Sequence, residues 1–335
     1  MSVFIVAEAG VNHNGDLALA KKLVDAAARA GVDAVKFQTW KPGECTGRFA
    51  IKVDYLAESG EADSRYDLSR RLCLPYDAFR ELQPYCAERG VLFLSTPDGF
   101  ESLDFLADEL RMPIIKIGST EVTHLKFIEK AASKQRPILL STGLSRLGEI
   151  ERCVDAVRRQ TSAPLTLLQC TSEYPAPPDE VNLRAMRTLA DVFGTPVGLS
   201  DHTSGIDASV AAVALGASVI EKHFTLDTTM PGPDHKASLD PDELGRLVTS
   251  IRVTERMLGD GIKQPTASER RNLAGIRRGV VAARAIRGGT RLTADMMTAK
   301  RPYVGLDPAD AELLVGRTVN RDLAEDEPIR WKDVG

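Results

Sequence analysis

The chain has 335 residues, 43% of them hydrophobic and 27% charged, so core material is ample and a disordered protein is excluded. Its net charge of −4 comes without any basic block longer than pairs such as Arg70–Arg71 and Arg277–Arg278, and nucleic acid is not an expected partner. Five cysteines, odd in number and without C-x-x-C spacing, indicate neither a disulfide framework nor a zinc cluster and suit a reducing cytosol. No stretch reads as a signal peptide or membrane span, since the best apolar run, Ala208–Ile220, is 13 residues long and contains Ser209, Gly216 and Ser218.

In chain order, short aliphatic or β-branched runs recur at Val3–Ala7, Ala34–Phe37, Val91–Leu94, Ile114–Ile117, Pro137–Leu140, Leu165–Leu168, Pro196–Leu199 and Ser218–Ile220. Segments with helical spacing and charged faces separate them, among them Leu17–Ala30, Tyr76–Arg89, Glu149–Arg159 and Leu183–Phe193. Eight such units predict an α/β fold, a closed parallel (β/α)8 TIM barrel. The runs start 22–31 residues apart except for one step of 57 after the second, which makes residues 41–70 a long polar loop at the mouth. Beyond Gln264 the repeat stops: Gly279–Ala283 and Ile286 read as strands, Gly288–Gly289 as a turn and Val304–Ala311 as loop. The expected division is a barrel over 1–258, a linker over 259–275 containing Gly259, Gly261 and Pro265, and a small domain over 276–335.

Each apolar run is followed by groups that carry chemistry: Glu8, Lys36 and Gln38, Ser95 and Thr96, Lys116 with Ser119 and Glu121, Ser141 and Thr142, Thr171 and Ser172, Ser200 to His202, Glu221 and His223. A barrel places them on one rim, where barrel enzymes keep their active sites. Side chains two apart share a face of a strand, so Lys36 and Gln38, Ser172 and Tyr174, Ser200 and His202, and Glu221 and His223 can all face the lumen. Lys116 and Ser119 break this parity, which requires either a bulge at Gly118 or a strand already ended there.

His202 and His223 end consecutive strands about 4.8 Å apart, close enough for both imidazoles to bind one metal or to sit as a neutral hydrogen-bonded pair. With oxygen-rich surroundings an octahedral Mn²⁺ or Mg²⁺ site is favoured over closed zinc. Lys36 and Lys116 put two ammonium groups in the mouth, to be matched by a small phosphate or carboxylate or by Glu8, Glu121 and Glu221. Met230–His235 reads as a stiff loop after the eighth strand, with Asp234 over the rim or in solvent, and His13 reads as structural.

The strings Ala7–Gly15, Val35–Gln38, Ser95-Thr96-Pro97, Lys116–Ser119, Ser141-Thr142-Gly143, Gly198–Thr203, Glu221–Thr225 and Pro231–Asp234 together resemble the sialic acid synthase family. The segment with Lys300-Arg301-Pro302 resembles that family's C-terminal antifreeze-like (SAF) domain. The resemblance implies a synthase that condenses phosphoenolpyruvate with the open-chain aldehyde of an N-acylated mannosamine-type sugar, giving a nine-carbon 2-keto acid and phosphate. It implies Mn²⁺, or else Mg²⁺ or Co²⁺, on His202 and His223. Lys36, Thr96, Lys116, Ser119, Ser172 and Ser200 would hold phosphoenolpyruvate, and Gln38, Glu121, Tyr174 and Asp234 the sugar. Glu8 and Glu121 are the candidates for proton transfer. Arg301 would reach the partner's site in a domain-swapped homodimer working in the cytoplasm.

The first expected acceptor is N-acetylmannosamine, giving N-acetylneuraminate, and the second is 2,4-diacetamido-2,4,6-trideoxymannose, giving N,N'-diacetyllegionaminate. A carbohydrate-binding module without catalysis has no need of paired metal ligands, and a Schiff-base aldolase would be indifferent to chelators. Three departures stand out: Ser172 where many members have Asn, Thr120 where a glycine is common and positive φ would be costly, and Tyr303 after Pro302, where it could narrow the sugar pocket.

Overall fold

The computed structural model describes residues 2–51 and 63–335. They form two compact units, divided along the chain between Gly259 and Asp260. In the first, eight strands alternate with helices. The strands are β1 (Phe4–Gly10), β2 (Ala34–Thr39), β3 (Leu92–Pro97), β4 (Ile115–Ile117), β5 (Ile138–Ser141), β6 (Leu165–Cys170), β7 (Val197–Asp201) and β8 (Val219–His223). The helices are α1 (Leu17–Ala30), α2 (Arg65–Leu72), α3 (Tyr76–Glu88), α4 (Phe100–Asp104), α5 (Leu125–Ser133), α6 (Leu147–Gln160), α7 (Ala185–Phe193), α8 (Asp207–Ala214) and α9 (Pro241–Leu258).

All seven ladders are parallel, in the order β3-β2-β1-β8-β7-β6-β5-β4. The end strands β3 and β4 pack side by side without a ladder, so the barrel is nearly closed. On β3 the backbone N–H of Ser95 donates instead to Met112 Sδ at 3.1 Å, giving a buried donor a partner. Apolar side chains between strands and helices, including Phe37, Phe79, Phe93 and Phe127, form the main core. Helix ends follow local chemistry: Asp16 accepts the Ala18 N–H and Gly31 takes a left-handed φ of 80° around α1, and Asp240 with Glu243 makes a capping box on α9.

The strands run past their apolar stretches, so Glu8, Lys36, Gln38, Thr96, Glu221 and His223 are strand residues rather than loop residues. In β1 the register slips between Glu8 and Gly10, where Gly10 has φ +53°. Three expectations are corrected. Part of the expected 41–70 loop is helix α2, which starts at a Ser64 cap and buries Leu68 and Leu72, four residues apart, while residues 52–62 lie outside the described residues. Part of the expected 259–275 linker is a helix, α10 (Ala267–Ile276), because Thr266 and Glu269 form a capping box. Thr120 is not among the residues with positive φ and lies in the 3-10 turn Ser119–Glu121, so its side chain carries no backbone penalty.

The second unit has its own small core, with Val280, Ile286, Leu292, Leu314, Val319 and Ile329. Antiparallel β9 (Gly279–Ala282) and β10 (Met297–Lys300) and single bridges such as Ile286 to Leu323 organise it. Within it Arg301 Nε donates to the Ile276 carbonyl at 2.7 Å, and Tyr303 packs under the Arg277 guanidinium, 5.0 Å from ring centre to Cζ. No helix of the described residues is long and apolar enough to cross a membrane.

Candidate active site

The C-terminal ends of the strands converge on a buried charge cluster. Glu8 pairs with both Lys36 and His223 in register across β1, and Ser200 with Glu221 across β7 and β8. Lys36 Nζ lies 2.8 Å from Glu8 Oε2, 2.9 Å from Thr96 Oγ1 and 3.7 Å from Glu221 Oε2. Lys116 Nζ reaches Glu221 Oε1 only at 3.4 Å and the Ile117 carbonyl at 3.4 Å, and it makes no shorter hydrogen bond or ion pair among the described residues. Glu221 is steadied by Ser200 Oγ at 2.9 Å, and Glu8 by Gln38 Nε2 at 3.0 Å. All four charged groups are less than 5% exposed.

Burial pushes the Glu8 carboxyl up to about 7, with Lys36 opposing and the Glu221 charge assisting. Burial likewise pulls Lys116 below the usual lysine range despite Glu221. Against burial, Lys116 and Lys36 together hold Glu221 below the ordinary glutamate value, and Glu221 and Glu8 hold Lys36 above that of lysine. Two ammonium groups and two carboxyls in this small volume leave Lys116 with spare N–H donors. Such donors fit an anion with several oxygens.

The two histidine rings lie 5.3 Å apart, centroid to centroid, with Tyr174 against both, 4.1 Å from His202 and 5.6 Å from His223. His202 Nδ1 lies 2.7 Å from the Thr171 carbonyl, which orients its ring, while the buried His223 Nδ1 has no hydrogen-bond partner and lies 3.7 Å from Asp234 Oδ2. Burial drives His223 well below the usual histidine value, so it is a neutral imidazole. Two adjacent rings, one oriented by a carbonyl and one with an orphaned nitrogen, fit a cation completed by water and substrate oxygens. Among the described residues no group of three or more His, Cys, Asp or Glu is set to hold a metal.

Other expected residues separate by position. β4 ends at Ile117 and Ser119 opens the following turn, which settles the parity break without a bulge. Ser119 Oγ accepts the Gly143 N–H at 2.9 Å, and Ser172 Oγ faces the same glycine, where a Cβ would meet it at 2.5 Å. Glu121 pairs with His124 at 2.8 Å rather than with a lysine. Gln38, Tyr174, His223 and Asp234 line one cavity of about 220 Å³ together with Asp98 and Arg65, and Val11, Trp40, Leu68 and Leu72 make its apolar side. A larger groove of about 660 Å³ flanks the mouth near Gln169 and Asn182 but holds neither the lysines nor the imidazoles. Arg301 is exposed in the second unit.

The sequence reading missed Asp98, whose carboxyl is pushed up to about 7 by burial and by Glu121. Its position two residues beyond Thr96 was the available signal. Cys170 was missed too: its Sγ lies 3.9 Å from His202 Nδ1, and against burial that imidazole, with Ser119 and Lys116, brings the thiol down to about 7.

The NeuB family profile matches residues 23–263 and the SAF domain profile matches residues 277–335. An N,N'-diacetyllegionaminic acid synthase of Campylobacter jejuni is 47% identical, covering 97% of this chain and 98% of that protein. The N-acetylneuraminate-9-phosphate synthase of Homo sapiens is 39% identical over 97% of this chain and 91% of its own. A crystal structure of an N-acetylneuraminic acid synthetase from Leptospira borgpetersenii, in complex with citrate, superposes with a TM-score of 0.73 at 36% identity, covering 81% of this chain and 90% of that one. By fold, full-length similarity and domain order, the chain belongs to the NeuB family of sialic and legionaminic acid synthases and ends in a SAF domain.

Proposed function

We propose that the chain condenses phosphoenolpyruvate with the aldehyde of an N-acylated mannosamine-type sugar to give a nine-carbon 2-keto acid and phosphate. The observation that carries this is the Lys36–Lys116 pair, buried together, with Lys116 held only by contacts of 3.4 Å. Lys36, Thr96, Lys116, Ser119, Ser172 and Ser200 hold phosphoenolpyruvate as a many-oxygen anion. Gln38, Tyr174, Asp234 and Glu121 face the sugar. C3 of the enol forms a bond to the aldehyde carbon, water adds at C2, and the C2–O bond to phosphate breaks. A divalent cation, Mn²⁺ first and Mg²⁺ or Co²⁺ as substitutes, held by His202 and His223, would supply Lewis-acid polarisation of the aldehyde.

Glu8 is the stronger candidate for proton transfer, because it touches Lys36 and Gln38 together and changes protonation near neutrality, whereas Glu121 is engaged with His124. For the acceptor, N-acetylmannosamine yields to 2,4-diacetamido-2,4,6-trideoxymannose. The name of the Campylobacter jejuni relative supports this, and so does the apolar side of the mouth, which suits a 6-methyl group. Arg301 completes the site of a partner in a domain-swapped C2 homodimer. Its Nε is anchored on Ile276, and its terminal nitrogens make no hydrogen bond among the described residues. The five free thiols suit the cytoplasm.

Phosphate release from phosphoenolpyruvate with Mn²⁺ and a panel of mannosamine derivatives tests the reading. The diacetamido sugar is expected to give the highest kcat/KM. No release with any acceptor from folded, metal-loaded protein would sink it.

A further inference from the structure

Thr96 faces the lumen and takes a hydrogen bond from Lys36 at 2.9 Å, which puts it on the tier of the enol phosphate in the proposed reaction. Two residues further along a strand lies the same face, about 6.6 Å higher. Asp98 occupies that position. Although β3 ends at Pro97, the Asp98 N–H still donates to the Thr39 carbonyl at 2.9 Å, so its backbone stays in register with β2. On the other side, Glu44 accepts the Glu101 N–H at 2.9 Å and fills the space where a Cβ on Gly99 would sit. The residue is thus held at both flanks, above the anion tier and beside Gln38, Tyr174, His223 and Asp234 around the 220 Å³ cavity.

No hydrogen bond or ion pair among the described residues engages the Asp98 carboxyl. Its strongest charged neighbour is Glu121, with Lys36 and Lys116 acting from the tier below. Asp98 and Asp234 therefore give the acceptor end of the cavity two carboxyl groups, and Arg65 is the one cation in its lining among the described residues. Such a surface binds hydroxyl and amide N–H donors and repels a phosphate ester.

We propose that Asp98 is a specificity-determining residue that contacts the acceptor and selects an unphosphorylated acylamino sugar over its phosphate ester. This deepens the proposed condensation and rests on it. The carboxyl takes a hydrogen bond from a sugar hydroxyl or acylamino N–H, and in its ionised form adds its charge to that of Asp234 against a phosphorylated tail.

Initial rates of phosphate release would be measured for the full chain with Mn²⁺, using N-acetylmannosamine, its 6-phosphate and 2,4-diacetamido-2,4,6-trideoxymannose. Asp98→Ala is expected to raise KM for the neutral acceptors by about tenfold while KM for phosphoenolpyruvate changes by less than about twofold. Asp98→Asn, which keeps the hydrogen-bonding shape but loses the charge, is expected to narrow the preference over the 6-phosphate by about tenfold. A wild-type preference for the 6-phosphate, or acceptor KM and preference unchanged in both variants, would overturn the proposal. If no acceptor supports phosphate release, the condensation reading fails. Asp98 is then judged by ligand-observed NMR of the three sugars with wild-type protein and Asp98→Ala: binding lost only in the variant supports its role, and equal binding, or none to either, overturns it.

Discussion

The two faces of β7 and β8 carry buried acid–base groups one residue apart and handle them differently. On the outer face Lys222 Nζ sits 3.0 Å from Asp201 Oδ2, and it also donates to the Thr203 carbonyl. Asp201 takes further hydrogen bonds from the Thr203 N–H and hydroxyl, both at 2.8 Å, and from Ser209 Oγ at 2.6 Å. On the lumen face Glu221 meets two lysines at 3.4 and 3.7 Å, and its Oε2 finds no hydrogen-bond donor among the described residues. The outer pair is complete and braces the loop that follows His202. In the inner cluster Lys116 and Glu221 Oε2 keep hydrogen-bonding capacity unused. Equal burial and equal residue types therefore separate into structure and site by whether the hydrogen-bonding capacity is used up.

This contrast can be broken most sharply on the lumen face. His202→Ala is expected to lower turnover by on the order of 10³-fold with the barrel still folded, as judged by circular dichroism. Near-normal rates after thorough metal removal would contradict the role given to the histidines. Mixing the variant with Arg301→Ala subunits is expected to restore part of the activity, because one site in each mixed dimer has both groups intact. Failure to recover any would remove the shared-site proposal.

Next come the two lysines. Lys222→Ala leaves Asp201 without its counter-charge and is expected to cost about 3–5 kcal/mol in urea unfolding. Lys116→Met removes a charge held only by contacts of 3.4 Å, and Glu221 keeps Lys36 at 3.7 Å, so its unfolding midpoint should fall less than that of Lys222→Ala while activity falls by on the order of 10²-fold. Equal stability losses in the two variants would erase the distinction between the faces.

The smallest effect is a pH dependence. Glu8 has its proton affinity raised from the model-compound value of 4.5 to about 7, so the folded state binds that proton more tightly than the unfolded state. The associated stability is fully present below about pH 4.5 and is lost as pH rises through about 7. Thermal melts of Glu8→Gln should therefore match wild type near pH 4.5 and exceed it near pH 8. A variant that gains nothing at pH 8 would show that Lys36 needs the ionised carboxylate more than burial disfavours it.

Much of this architecture was legible along the chain. The eight apolar runs marked the eight strands, and alternation by two placed Ser200 with His202 and Glu221 with His223 on one face. Boundaries were less legible, because the ends of the strands are polar where the lumen is polar, and hydrophobicity stops before the ladder does. Helix α2 was hidden in a segment read as loop, although Leu68 and Leu72 at helical spacing after Ser64 carried its signal. Asp98 had only its place two residues beyond Thr96 to mark it, since an acid after a proline at a strand end is what an ordinary turn also contains.

By itself, then, the order of residues determined the number of strands, the face each side chain takes and the kinds of group gathered at one rim, since these depend on local periodicity and chain connectivity. Tertiary structure alone decided which carboxylate meets which ammonium group, that Glu121 turns to His124, that the imidazoles lie side by side and that Lys222 is neutralised outside the barrel. Those outcomes depend on distances between strands remote in sequence and on how far each group is withdrawn from water, and no stretch of chain encodes either quantity locally.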